Sequence, residues 1–172
     1  IDHGIAYVTE DRKALGLNLL DTIRVSTTAA KLKSIARNGV VDDNAEILAA
    51  EKYRKAMRIK APTIEEGVNK LSGGNQQKVV LGKWMFTEPE VLILDEPTRG
   101  IDVGAKYEIY EIINQLADSG KGVLVISSEL PELLGICDRI YTLSAGLITA
   151  DVAKADADQE TLMRYMTQRK AD

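Results

Sequence analysis

The run Val91-Leu92-Ile93-Leu94 constrains this chain more than any other stretch: four apolar residues without alternation, followed at once by Asp95-Glu96-Pro97. A run with no period of two is expected for a strand of a parallel sheet covered on both faces. Open α/β sheets place their ligands at the carboxyl ends of such strands. There Asp95 can hold Mg²⁺ through water, and Glu96 can position or activate a nucleophilic water. An acidic pair is also a common way for a strand simply to end, so its neighbours must decide between the two.

The rest of the chain supplies the layers that such a strand needs. Ile5 to Val8 reads as a strand that exits into the polar cluster Thr9-Glu10-Asp11-Arg12-Lys13. Helical patterns then occupy the chain from Leu15 to about Asn69, the clearest opening at Asp43 and Glu46 as a capping-box-like start. Ile47, Leu48, Ala50, Tyr53, Ala56 and Met57 recur there at helical spacing, with Lys52, Arg54 and Lys55 on a solvated face. Pro62 closes this segment, and a second helix runs from about Asn75 to Thr87, stopped by Pro89. Tyr107 to Asp118 reads as a helix with Ile109, Ile112, Ile113 and Leu116 inward, and Val123 to Ile126 as a second buried strand. A helix around Pro131 to Leu134, a hairpin turned at Ala145-Gly146 and an amphipathic helix carrying Leu162, Met163, Tyr165 and Met166 complete the order. The expected fold is α/β: a mainly parallel core formed by residues 1–14 and 88–172, with a helical subdomain inserted over 15–87.

Composition narrows the function. At 172 residues and 45% hydrophobic the chain can bury a core, and its formal charge of −4 lacks the basic field of a nucleic-acid binder. Cys137 is the single cysteine, which rules out an intramolecular disulfide and points to a buried small residue. No run approaches the roughly 18 apolar residues of a membrane span. The start Ile1-Asp2-His3-Gly4 resembles no secretion signal, and beginning at Ile1 suggests a piece of something longer. His3, the only histidine, reads as a surface residue.

The second constellation, Leu71-Ser72-Gly73-Gly74-Asn75-Gln76-Gln77-Lys78, lies just upstream of the acidic pair. Ser72, Gly73 and Gly74 open a helix, so backbone N–H groups and the positive end of its dipole form an anion site that glycine leaves open to close approach. Taken alone, a serine N-cap beside a glycine turn would suffice. With the acidic strand about 17 residues on, the sequence resembles the ATP-binding cassette (ABC) ATPases. Ser72-Gly73-Gly74-Asn75-Gln76 resembles the signature motif, Val91 to Pro97 the Walker B strand with Glu96 as catalytic glutamate, and Thr98-Arg99-Gly100-Ile101-Asp102 the D-loop with Asp102. Together with Tyr7-Val8-Thr9-Glu10-Asp11-Arg12 and Ile126-Ser127-Ser128-Glu129-Leu130-Pro131-Glu132, these motifs resemble the C-terminal half of the tandem ATP-binding subunits of bacterial importers for ribose, galactose, xylose and similar sugars.

That resemblance implies a partial P-loop NTPase fold, ATP and Mg²⁺ as cofactors in the full-length parent, and a place on the cytoplasmic face of the inner membrane. The implied partners are an N-terminal ABC cassette of the same parent or a second subunit, transmembrane permease subunits met by Glu10 to Leu17, and indirectly a periplasmic sugar-binding protein. The departures matter too. No Gly-x-x-x-x-Gly-Lys-Ser/Thr run occurs, and such a P-loop would lie upstream of Ile1. Glu10 stands at the Q-loop glutamine and Ser128 at the switch histidine, so the chain's own Asp95/Glu96 site reads as degenerate and the fragment by itself as inactive. The signature residues Ser72, Gly73, Gly74 and Gln76 would then act in trans, on nucleotide held by the partner cassette. Alternatives are the C-terminal lobe of an SMC-type or translation-associated ABC ATPase, and an interaction module without a nucleotide role. A compact, non-heptad insert and the negative charge argue against the SMC type.

Overall fold

The structure, a computed structural model, describes residues 1–167. It separates into two compact units, Ile1–Ile126 and a second beginning at Ser127. In chain order the first unit contains β1 (Ile5–Val8), a π-helical turn (Arg12–Gly16), α1 (Ile23–Thr28), a 3-10 stretch (Ala29–Ile35), β2 (Ala36–Arg37), β3 (Val40–Val41) and α2 (Asp43–Ala56). A 3-10 turn (Val68–Lys70), α3 (Gly73–Met85), β4 (Val91–Asp95), α4 (Val103–Asp118) and β5 (Gly122–Ile126) follow.

The sheet has the order β1-β4-β5 and is parallel throughout, with Ile5 opposite Val91 and Asp95 opposite Ile126. Parallel strands need long crossovers, and the helical insert supplies one between β1 and β4. α3 packs against β1 and α4 against β5. The alternate set Ala6, Val8, Leu92 and Leu94 is buried, at most 1% exposed. The other set is not: Ile5, Tyr7, Val91, Leu124 and Ile126 are 38–50% exposed. The expectation of strands covered on both faces is therefore corrected. An unbroken apolar run hides the period of two, because residues of both faces are apolar whether or not both are covered.

In the insert, α1 packs on α2 and α3. The start of α2 differs by one residue from expectation: Asp42 is the N-cap, its carboxylate accepting from Ala45 N at 3.1 Å. Glu46 does not reach back to the cap. It is buried, accepting from Thr28 Oγ1 at 2.9 Å and pairing with Arg24. The inward line of α2 is therefore Glu46, Ala50, Tyr53 and Met57, which leaves Ile47 and Leu48 exposed. Tyr53 donates to Met85 O at 2.9 Å and meets the Phe86 ring edge-on, tying α2 to the end of α3. α3 and α4 both begin earlier than their apolar periodicity implies, at Gly73 and Val103, because Ser72 and Asp102 cap them.

The second unit contains α5 (Leu130–Ile136), the antiparallel hairpin β6 (Arg139–Ser144) and β7 (Leu147–Ala153), and α6 (Gln159–Thr167). Ala145 and Gly146 both have positive φ, 49° and 79°, the primed turn that suits a two-residue hairpin. Leu130, Ile140, Val152 and Leu162 form its core. Cys137 packs beside them half-buried, and burial pushes its thiol up, away from the reactive thiolate. Among the described residues, no helix is long and apolar enough to cross a membrane.

Candidate functional site

Two helix N-termini meet at Ser72-Gly73-Gly74. Ser72 caps α3 from extended backbone (φ −61°, ψ 158°), its Oγ accepting from Asn75 N at 3.4 Å and Asn75 Nδ2 at 2.9 Å. The cap uses the hydroxyl's acceptor side, so the O–H of this exposed residue can still donate outward. Asp102 caps α4, accepting from Ala105 N at 3.0 Å. A cleft of about 280 Å³ opens between the two caps, lined by Ser72, Gly74, Asn75, Asp102 and Gly104. The glycines are dictated by closeness: a Cβ on Gly74 would lie 2.6 Å from Ala105 Cβ, and one on Gly73 would lie 2.8 Å from Arg12 Nη2. Gln76, expected at the signature surface, is buried and donates to Val68 O at 3.0 Å.

The floor of this cleft is ionic. Lys78, 1% exposed, bonds Glu108 on α4 and donates to Arg58 O at 3.2 Å, while Lys60 Nζ reaches Glu108 at 2.7 Å. The hydrogen bonds from Lys60 and Lys78 hold the Glu108 carboxyl down to about 2. Asn75 Oδ1 accepts from Lys60 N at 2.8 Å, so the signature turn, the end of the insert and α4 are joined at one place.

At the end of β4 the backbone carries strain. Glu96 has φ +44°, in the left-handed region, and its N–H donates to Ile126 O at 2.8 Å, closing the last rung of the β4–β5 ladder. Arg99 N to Glu96 O (3.1 Å) and Ile101 N to Thr98 O (3.2 Å) form the turns that follow. Tyr7 donates its phenol to Asp95 Oδ2 at 2.6 Å, and this bond to the carboxylate raises the phenol's own pKa. No three His, Cys, Asp or Glu residues converge as a metal cage among the described residues. A single oriented carboxylate at a strand end does fit Mg²⁺, which keeps most of its waters and uses one or two carboxylates beside phosphate oxygens.

The exit of β1 joins the same region. Glu10 pairs with Arg99, so its charge is compensated from within the chain, a partner invisible in the sequence. Glu10, Arg12 and Arg99 line a second cleft of about 340 Å³. Ser128 lies in the second unit, exposed. The structure thus brings together Ser72, Gly74 and Asp102, and separately Glu10 with the Arg99 side of the same turn. Sequence reasoning missed Tyr7 as a partner of Asp95, and the set Lys60, Lys78 and Glu108. The one available signal was a lysine following two glutamines inside a helix whose next residues are apolar.

A model of the ABC transporter family matches residues 2–99. The L-arabinose transport ATP-binding protein AraG of Geobacillus stearothermophilus is 62% identical over 167 residues, 97% of this chain and 33% of that protein. The xylose import ATP-binding protein XylG of Geobacillus kaustophilus is 55% identical over 97% of this chain and 33% of its own length. The ribose import ATP-binding protein RbsA of the same organism is 48% identical, over 97% and 34%. The chain thus spans about a third of the length of the curated relatives it matches. Among solved structures, the ATP-binding cassette MJ1267 superposes with a TM-score of 0.77 at 18% identity, over 95% of this chain and 68% of that one. The dimeric cassette MJ0796 bound to ADP and Pi gives 0.72 at 20% identity, over 87% and 62%.

Proposed function

The chain belongs to the ABC transporter family, and on that footing we propose that it is an ATP-binding cassette segment of a bacterial monosaccharide import ATPase. Its principal chemical task is to complete the ATP site of a partner cassette. The observation that carries this reading is the exposed Ser72 at the N-terminus of α3, beside the Asp102 cap of α4. An exposed hydroxyl at a helix N-terminus can be offered to phosphate held by another chain. Domain roles follow the same logic: residues 15–87 present the signature, and residues 1–14 and 88–126 hold the parallel sheet.

In this reading ATP and Mg²⁺ bring the phosphoryl group and its charge neutralisation. Ser72 donates its O–H, and the Gly73 and Gly74 backbone with the α3 dipole stabilises negative charge as it develops in the transition state. Asp102 keeps the start of α4 in place beside them. In the chain's own half, Asp95, oriented by Tyr7, would hold the hydrated metal, and Glu96 would orient water. Glu10, though paired with Arg99, stands where a neutral glutamine would serve, and this weakens turnover there. The permease subunits would be met by the exit of β1, Glu10 to Leu17, where Leu15 is 72% exposed, and would hold the assembly at the cytoplasmic face of the membrane. AraG, XylG and RbsA, each named for a different sugar, support a monosaccharide cargo without singling one out.

The test compares two substitutions in the full-length transporter. Ser72→Arg should abolish ATPase activity by filling the anion site, whereas Glu96→Gln should cost much less. Equal losses from both would overturn the assignment of the main role to the signature in trans.

A further inference from the structure

Arg12 sits where three segments converge. Asp11 accepts from Lys13 N and Ala14 N at 3.0 Å each, fixing the π-helical turn. From this turn, Arg12 Nη1 donates to Arg99 O at 2.9 Å and Nη2 to Gly100 O at 3.4 Å, two successive carbonyls of the turn that leads to Asp102. The same Nη2 occupies the space a side chain at Gly73 would need, 2.8 Å from an ideal Cβ, and that Cβ would lie 3.4 Å from Gly100 O. The turn is anchored to α3 a second time, through Lys83 Nζ to Gly16 O at 3.0 Å and through Val80 beneath Gly16.

This placement is costly. Burial disfavours the guanidinium charge and lowers its pKa, and Nε is buried with no hydrogen-bond partner. Uncompensated desolvation of this kind is expected where geometry rather than stability is being served. A planar fork across two carbonyls specifies position in a way that a lysine point charge does not. Two residues earlier, Glu10 holds the side chain of the same Arg99 whose carbonyl Arg12 holds, so the β1 exit grips this turn by side chain and backbone together.

We propose that Arg12 is a positioning residue that fixes the turn Arg99-Gly100 against the start of α3, so that the position of the β1 exit sets the spacing between Ser72 and Asp102. The inference rests on the proposed role of Ser72 in a partner's ATP site.

The test uses the full-length transporter with Arg12→Ala, Arg12→Lys and Gly73→Ala. Amide hydrogen exchange is measured over residues 72–75 and 96–102, and ATPase kinetics alongside. Arg12→Ala should speed exchange in both segments, leave residues 109–116 of α4 unchanged, and lower kcat about 10- to 100-fold with KM for ATP within about twofold. Arg12→Lys should recover part of both effects. Gly73→Ala, which displaces the fork while its own methyl meets Gly100 O only at an ordinary van der Waals distance of 3.4 Å, should also speed exchange there. Unchanged exchange at 96–102 in Arg12→Ala, or in Gly73→Ala, overturns the proposal, as does loss confined to global stability. A parallel Ser72→Arg control separates the two ideas: retained ATPase activity there rejects the signature reading, while the exchange data still judge the Arg12 clamp.

Discussion

Gly74 and Ala105 bring α3 and α4 so close that a single added methyl on Gly74 would lie 2.6 Å from the Ala105 Cβ. Neither atom belongs to a flexible side chain, so relief requires a helix to move. Gly74→Ala should destabilise the protein by about 1–3 kcal/mol, read as a lower urea midpoint. It should also widen the gap between Ser72 and Asp102 and reduce ATPase activity in the assembled transporter.

Glu96 pays for its position with a φ of +44°, a cost of about 1–3 kcal/mol that glycine escapes. Glu96→Gly should therefore raise thermal stability, by about 1 kcal/mol after glycine's own entropy is counted, while removing the carboxylate. Glu96→Ala relieves no backbone strain and should not stabilise. Comparing the melting temperatures of the two variants checks the claim.

Lys78 is buried against Glu108, whose carboxyl is held from an ordinary 4.5 to about 2. Because the folded value is depressed, its contribution to stability is complete above pH 4.5 and is lost as the pH falls toward 2. Glu108→Gln should cost about 3 kcal/mol at pH 7, since it strands a buried ammonium, and the deficit should shrink steadily below pH 4.5. Lys78→Met combined with Glu108→Gln should recover most of the loss. Chemical denaturation at pH 7, 4 and 3 provides the comparison.

The Tyr7 phenol orients Asp95 through one short hydrogen bond. Tyr7→Phe keeps the ring and removes only that bond. In the full-length transporter carrying Ser72→Arg, where turnover through the signature is silenced, Mg²⁺-dependent nucleotide binding at this half should require on the order of 10-fold more Mg²⁺. Binding measured against Mg²⁺ concentration reads this directly, and an unshifted curve would remove Tyr7 from the site.

Much of this arrangement was legible in the residues. Val91 to Leu94 declared a strand, and Ser72-Gly73-Gly74 declared a helix start, because strong apolar runs and capping chemistry are local. What stayed hidden was pairing at a distance. Lys78 shows no partner until Glu108, thirty positions on, is folded against it. Arg12 bonds two backbone carbonyls, which every residue carries, so no side-chain pattern could announce them. Asp43 and Glu46 have the capping-box spacing, but the tertiary engagement of Glu46 with Thr28 takes it out of any cap, and Asp42 caps the helix instead. The exposed face of the sheet was concealed because Ile5 and Tyr7 are as β-prone as the buried Val8.

The parallel register of β1 on β4 places Ile5 beside Val91, eighty-six positions later in the chain. A ribosome adding about 5–20 residues per second leaves β1 without its neighbour for several seconds or more. During that interval the helices of the insert, whose contacts are local, can form, while the sheet cannot. The apolar segment Ile5–Val8 is then an unpaired edge in a crowded setting, open to pairing with the wrong chain. Synthesis rate and chaperone supply, rather than equilibrium stability, should therefore govern how much of this protein is recovered folded.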